Sequence, residues 1–369
     1  MDPPPPSCRV ASGDAAALPE FAGRVCAGCA GSRTVPTGGP GSFRRWPQPF
    51  INRRAAGLLK RLEAQGIPAI PFKGPALAAF LYGDPALRQF VDIDILLHRE
   101  DFPAAKRLLL SLGYQSKYRL TRRQEKAYLQ YKSHESFTLA RGDTKIATEL
   151  HWGIMPGDFP FHPNLKGIWE RCEPLSLAGA TVATLSPEDL LLFLCVHGSK
   201  HGWRCLQWLC DVAQLVRIHP TMDWGRVMEQ AQTSGGQRMF LLGLFLANDI
   251  LGTPIPPEIV QKAQRDPLTV RLAGQMRRRL LDGSLIVPGT WERMLRDLQW
   301  MEHVQDRISY CVHALTTSTP ENWNTLPLPD PLFPLYYVLQ PMRVAGRYGL
   351  GVANRIYNRY QRKHNTGVP

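Results

Sequence analysis

From Phe50 onward, apolar and polar residues follow two different periods, and the switches between them divide the chain into elements. "FINRRAAGLLKRLEAQG" repeats its apolar residues every three to four positions and closes on Gly66, which predicts a helix with a glycine stop. "IPAIPFKG" predicts a short buried strand ending at a glycine. "PALAAFLYG" predicts a helix with Pro75 in its first turn, where a missing N–H does no harm. "VDIDILLH" predicts a strand, and Asp101 starts a helix through "FPAAKRLLLSLG" that stops at Gly113. A further helix, "TRRQEKAYLQYK", leads to two strands, "ESFTLA" and "KIATELHW", joined by the turn residues "RGDT". This part of the chain therefore mixes α and β.

Beyond it the period changes. Ser186 caps a helix that Pro187 opens, Glu188 and Asp189 suit its positive end, and helical spacing dominates to about residue 316. A helical domain is expected to start near Ser186. Residues 1–45 have no apolar period and are rich in Pro, Gly, Ala and Ser, so they cannot bury enough surface to offset ordering. The expected organisation is an unfolded stretch over 1–45, an α+β domain over 46–185, a helical domain over 186–325 and a basic C-terminal tail over 326–369. From Pro331 the tail has no acidic residue. Its bases include Arg343, Arg347, Arg355, Arg359 and Lys363, with Tyr348, Tyr357 and Tyr360 between, which suits RNA, a membrane surface or a solvated face.

Composition adds limits. The chain is 44% hydrophobic and 20% charged, with no apolar run of the roughly 18 to 20 residues that a membrane span needs; "MFLLGLFLANDIL" is broken by Asn248 and Asp249. "MDPPPPS" has neither the basic start nor the apolar stretch of a secretion signal, so a cytoplasmic location is expected. A net charge of +13 tolerates phosphate-rich partners such as nucleotide, RNA or acidic lipid without choosing among them. Eight cysteines in a chain this long do not make a disulfide framework, and Cys195, Cys205, Cys210 and Cys311 sit in apolar helical contexts. Cys26 and Cys29 form a lone C-x-x-C without the second pair that tetrahedral zinc requires.

Two aspartates interrupt the apolar run "RQFVDIDILLH". In a strand, alternate side chains share a face, so Asp92 and Asp94 point one way while Val91, Ile93 and Ile95 point into the core. Their Cα atoms would lie roughly 6.6 Å apart, within reach of a common pair of metal ions. Two such anions repel, and a divalent cation between them removes that cost. D-x-D alone is more commonly the pattern of an exposed strand edge. Three neighbours sharpen it. Lys73-Gly74 lies where a buried strand meets a helix start, a place that can hold phosphate oxygens. Glu149 shares a strand face with Ala147 and His151 and offers a third carboxylate. Arg88 either neutralises phosphate or pairs with Asp84 or Asp92. Further along, "HGSKHGWRCLQWLCD" sets His197 and His201 on one helix face without the glutamate of a zinc-protease motif. The histidines then either meet structural partners such as Asp211 or wall a nucleotide cleft. In the cleft reading Lys200 touches phosphate and Trp203 or Trp208 stacks on a base; both tryptophans otherwise belong to the core.

The order "PFKGPALAAFLYGDPALRQFVDIDILL", "ELHW", "LLLFLCVHGSKHGWRCLQWLCDVAQLV" closely resembles the uncharacterised nucleotidyltransferase family of bacteria, a branch of the DNA polymerase beta-like nucleotidyltransferase superfamily. The likeness runs from about Phe50 to at least Val216, with a looser match in "PLYYVLQPMRVAGRYG". It implies an α+β fold: a small mixed β-sheet flanked by helices, followed by a helical domain, with three acidic residues that bind two magnesium ions, manganese being the alternative. Asp92 and Asp94 match the D-x-D pair, and Glu149 matches the third acid. The Gly-Ser of the wider superfamily is replaced here by Lys73-Gly74, a replacement that this branch shares, and lysine can still bind phosphate as a point charge. The implied activity is transfer of a nucleoside monophosphate from a nucleoside triphosphate to an acceptor, with release of pyrophosphate. Lys73, Gly74, Arg88, Lys200 and Trp203 are the expected nucleotide contacts; the acceptor is a small hydroxyl compound, a protein side chain or an RNA end. The alternative is a non-catalytic nucleotide- or RNA-binding regulator on the same fold. Three converging acids count against it, because without metal they repel phosphate.

Overall fold

The computed structural model describes residues 44–45, 48–84, 87–141, 144–281 and 290–346. They fall into two compact units: one within Met1–Lys117, His134–Ile154 and Phe161–Leu285, the other within Tyr118–Ser133, Met155–Pro160 and Ile286–Pro369. Helices on both sides of Ser186, where the helical domain is expected to start, belong to the first unit. Cys26, Cys29 and the tail bases from Arg347 onward lie outside the described residues.

In the first unit a mixed sheet runs in the order β2–β3–β6–β5–β4, formed by Ala69–Pro71 (β2), Asp92–Leu97 (β3), Thr144–His151 (β6), His134–Arg141 (β5) and Gln115–Ser116 (β4). A two-residue strand, Arg44–Arg45 (β1), adds to β6 in parallel, inside the stretch expected to be unfolded. β3 and β6 are parallel; β2–β3, β5–β6 and β4–β5 are antiparallel. Helices α1 (Gln48–Glu63), α2 (Gly74–Tyr82) and α3 (Phe102–Ser111) form where the apolar spacing predicts them. Val91 departs from expectation: it precedes β3 and is exposed, while Ile93 and Ile95 are fully buried.

Sequence reading made no assignment for the hairpin of β7 (Glu173–Leu177) and β8 (Ala180–Thr184). Its turn places both Ala178 and Gly179 at positive φ, the conformation of a tight hairpin, but without the Asn-Gly or Asp-Gly that announces one. β8 is tied to the main sheet where Thr184 Oγ1 donates to the Pro71 carbonyl.

The rest of the first unit is helical: α5 (Leu165–Glu170) before the hairpin, then α6 (Pro187–Lys200), α7 (Leu206–Ile218), α8 (Trp224–Thr233), α9 (Gln237–Leu251), α10 (Pro257–Arg265) and α11 (Pro267–Leu281). Ser186 caps α6 through its hydroxyl, as the sequence indicates. α6, α7 and α9 pack together around Trp203, which is fully buried. An alanine Cβ at Gly198 would come within 2.5 Å of the Trp203 ring, and one at Gly243 within 2.9 Å. Both glycines are therefore small to admit the indole.

The second unit holds α4 (Arg122–Tyr131), α12 (Thr290–Trp300), α13 (Val304–Thr316), α14 (Pro320–Thr325) and a helical stretch over 335–346. Thr121 and Gln124 close α4 with a reciprocal capping box. Tyr128, Phe159, Trp300, Trp323, Phe333 and Tyr336 are buried aromatic residues of this unit. Among the described residues, no helix is long and apolar enough to cross a membrane.

Candidate functional site

The site is built on the parallel pair at the middle of the sheet. Asp92 of β3 lies opposite Ala147 of β6, Asp94 opposite Glu149, and Leu96 opposite His151. Because residues two apart share a face, Asp92 and Asp94 stand beside Glu149 and His151. β5 extends the same face with Ser136 opposite Glu149 and His134 opposite His151. Asp94 is almost completely buried, whereas Asp92 and Glu149 remain partly open.

The contacts within this group are specific. Lys73 Nζ lies 3.0 Å from Asp94 Oδ1, and His151 Nε2 lies 3.0 Å from the same oxygen. The other oxygen, Oδ2, is buried and has no hydrogen-bond partner. Glu149 Oε1 accepts a 2.9 Å hydrogen bond from Ser136. Glu149 Oε2 lies 3.4 Å from His151 Nε2 and 3.7 Å from His134 Nε2.

Electrostatics follow from this crowding. Burial, reinforced by the Asp94 charge, pushes the Asp92 carboxyl up to about 7. Asp94 moves the other way: burial opposes its charge, but Lys73 and the His151 hydrogen bond outweigh that and hold it below the usual carboxylate range. Glu149 is likewise held down against its burial by His151 and His134. Burial drives the His134 imidazole down to about 3, so it is neutral at physiological pH.

These residues fit a divalent cation. Asp92, Asp94 and Glu149 each offer a carboxylate oxygen, and the three oxygens lie within 4.8 Å of one another. A buried carboxylate oxygen without a donor, beside a second acid whose charge is poorly compensated, is the arrangement that an oxygen-seeking ion completes.

Gly74 explains how the lysine arrives. It starts α2 at φ +54°, and a Cβ there would meet the Asp92 carbonyl oxygen at 2.3 Å. Only glycine lets the helix start lie directly on the β3 backbone. Lys73, one residue earlier, thereby reaches Asp94, with its ammonium over the rings of Phe72 and Phe193.

The other expected nucleotide contacts divide. Lys200, at the end of α6, is near enough that its charge bears on His134 and His197. Arg88 has a protein partner in this structure. It pairs with neither Asp84 nor Asp92 but is buried in a bidentate ion pair with Asp211 of α7, at 2.9 to 3.1 Å, and Tyr82 donates to the same carboxylate at 3.0 Å. Two further bonds join this join: Gln207 to the Gln89 carbonyl and Gln214 to the Leu81 carbonyl. α7 thus fixes the backbone that leads into β3. Trp203 takes the core alternative rather than the nucleotide contact, since its sealed ring presents no face to a base. His197 and His201 lie against each other and against Trp208, while the carboxylate of Asp211 is engaged by Arg88 and Tyr82.

His151 is the functional candidate that sequence reasoning passed over. Its place two residues after Glu149 already put it on the acidic face. What alternation could not supply is the parallel register that sets it against Asp94.

No curated protein matches the chain. Similar solved structures include an antigenic nucleotidyltransferase-like protein from Paracoccidioides brasiliensis, 16% identical, covering 57% of this chain and 92% of that one at a TM-score of 0.38. A solution structure of the antibiotic-resistance factor ANT(2'')-Ia is 14% identical and covers 51% of this chain and 92% of that one at 0.34. A crystal structure of ANT(2")-Ia with adenylyl-2"-tobramycin is 17% identical and covers 62% and 98% at 0.27. Residues 50–252, more than half of the chain, match the model of the family described as uncharacterised nucleotidyltransferase, and the chain belongs to that family.

Proposed function

We propose that the protein transfers a nucleoside monophosphate from a nucleoside triphosphate to an acceptor and releases pyrophosphate, using a divalent cation held by Asp92, Asp94 and Glu149. The observation that carries this reading is the convergence of the three carboxylates from two neighbouring parallel strands beside Lys73. When bound, magnesium or manganese would neutralise phosphate charge and lower the pKa of the attacking hydroxyl. Asp94 is preset for this role: Lys73 and His151 fix one of its oxygens and leave the other bare. Ser136 orients Glu149 in the same way. Asp92, the acid whose ionisation is most opposed, lies at the start of β3, against the Gly74 turn. Lys200, whose charge bears on His134, is a second cation for the triphosphate. The acceptor is a small hydroxyl compound, a protein side chain or an RNA end.

Calorimetry with ATP, with and without magnesium, separates this reading from a binding-only regulator. Nucleotide affinity should depend on magnesium and fall in Asp94→Asn. Equal affinity with and without the ion would favour the regulator.

A further inference from the structure

Glu149 belongs to two groups of ligand atoms at once. One is the carboxylate triad. The other joins Glu149 to His134 and His151, again with one donor atom from each within 4.8 Å of the others. The two groups differ in chemistry. The first is all oxygen and suits a hard ion, whereas the second has two imidazole nitrogens and one carboxylate.

We propose that His134, Glu149 and His151 form a second cation site that takes a divalent transition metal such as zinc, cobalt or manganese in preference to magnesium. Both Nε2 atoms face the same Glu149 oxygen, at 3.7 Å from His134 and 3.4 Å from His151. Donors about 2.1 Å from a tetrahedral zinc lie about 3.4 Å from each other, so the spacing already suits an ion between them. The backbone supports this arrangement, because His134 and His151 are direct cross-strand partners on β5 and β6. Their rings stack at 4.8 Å between centroids with an interplanar angle of 27°, which aligns their edges. The ring edge of Phe72 against His151 and the Ser136 hydrogen bond to Glu149 restrict two of the three ligands. Ligation through His151 Nε2 takes the place of its hydrogen bond to Asp94 Oδ1, which Lys73 still holds.

Sharing Glu149 has a consequence. An ion on the imidazoles draws on the carboxylate that the oxygen triad also uses, so transition-metal occupancy alters the adjoining magnesium site. The site does not depend on nucleotidyl transfer, and binding can be measured without turnover.

The test is titration of the metal-free, tag-free protein with cobalt in saturating magnesium, read by the visible d–d absorption of the bound ion. One equivalent should bind to the wild type and to Asp92→Asn, at least as tightly in the variant, whose weakened magnesium site competes less for Glu149. His134→Ala should weaken it by more than about tenfold, the least that even an outer-shell partner costs a metal site. His134 is on the more open side of the cluster, so its truncation keeps the test valid should His151→Ala fail to fold. Unchanged cobalt binding in His134→Ala overturns the proposal. So does loss in Asp92→Asn equal to that in His134→Ala, which would place the ion on the carboxylate triad. A sulfur-to-cobalt charge-transfer band would assign the ion to cysteine and also overturn it.

Discussion

Lys73 and Asp94 meet at 3.0 Å across the junction of α2 and β3, so the acidic face carries its own cation before any metal or nucleotide arrives. The Asp94 carboxylate is buried to near completion, while the lysine keeps about a fifth of its exposure. Removing one partner of such a pair leaves a buried charge, which costs about 3–5 kcal/mol. Lys73→Ala should therefore lose stability in metal-free buffer, and magnesium should raise its melting temperature more than it raises that of the wild type. Thermal denaturation with and without magnesium measures both; an equal shift in the two proteins would show that Lys73 and the cation do not share the compensation of Asp94.

Gly74 is the steric condition for that meeting. Alanine at φ +54° costs about 1–3 kcal/mol in backbone strain. Its Cβ must also displace the Asp92 carbonyl, which it would approach to 2.3 Å. Gly74→Ala should lower stability and weaken divalent binding together, whereas Gly83→Ala, another positive-φ site with nothing near its Cβ, should affect stability alone. Calorimetric titration of the two variants with magnesium compares them.

The buried Arg88–Asp211 pair gives a contrasting prediction. Arg88→Ala strands a fully buried carboxylate and should destabilise the fold by about 3–5 kcal/mol in urea denaturation. Loss of nucleotide affinity in a protein of unchanged stability would instead return Arg88 to the phosphate.

At Gly198 the added methyl has no room against the Trp203 ring. Overpacking of this kind costs about 1–3 kcal/mol. Gly198→Ala should lower the melting temperature and leave the nucleotide affinity of the folded protein unchanged. An affinity loss without a stability loss would put the tryptophan back in the nucleotide site.

The sequence made the acidic face legible because strand alternation is strict: Asp92 and Asp94 had to share a side, and so had Glu149 and His151. It also showed most helix starts and stops, through local signals such as Ser186, Pro187 and Gly113. Long-range pairing was not legible. Arg88 and Asp211 are 123 residues apart, and nothing local in "LRQF" selects an aspartate in α7 over the nearer Asp84. Between a stacking and a core Trp203 the local sequence does not choose, because its burial depends on two glycines, one of them in α9. The boundary near Ser186 marks a real change of period, but a change of element type need not divide compact units when helices pack back against the strands that precede them.

The proposed reaction requires that Asp92, Asp94 and Glu149 together hold a divalent cation. Its most direct test is transfer from α-labelled nucleoside triphosphates in magnesium, with protein, RNA and small-molecule fractions of a lysate as acceptors. The wild type should place label in one fraction and release pyrophosphate. Asp92→Asn and Asp94→Asn, although folded, should each lose nearly all of that transfer, since loss of a metal ligand removes charge stabilisation and leaves the core intact. Turnover at half the wild-type rate or more in either variant, at saturating magnesium, would contradict the claim.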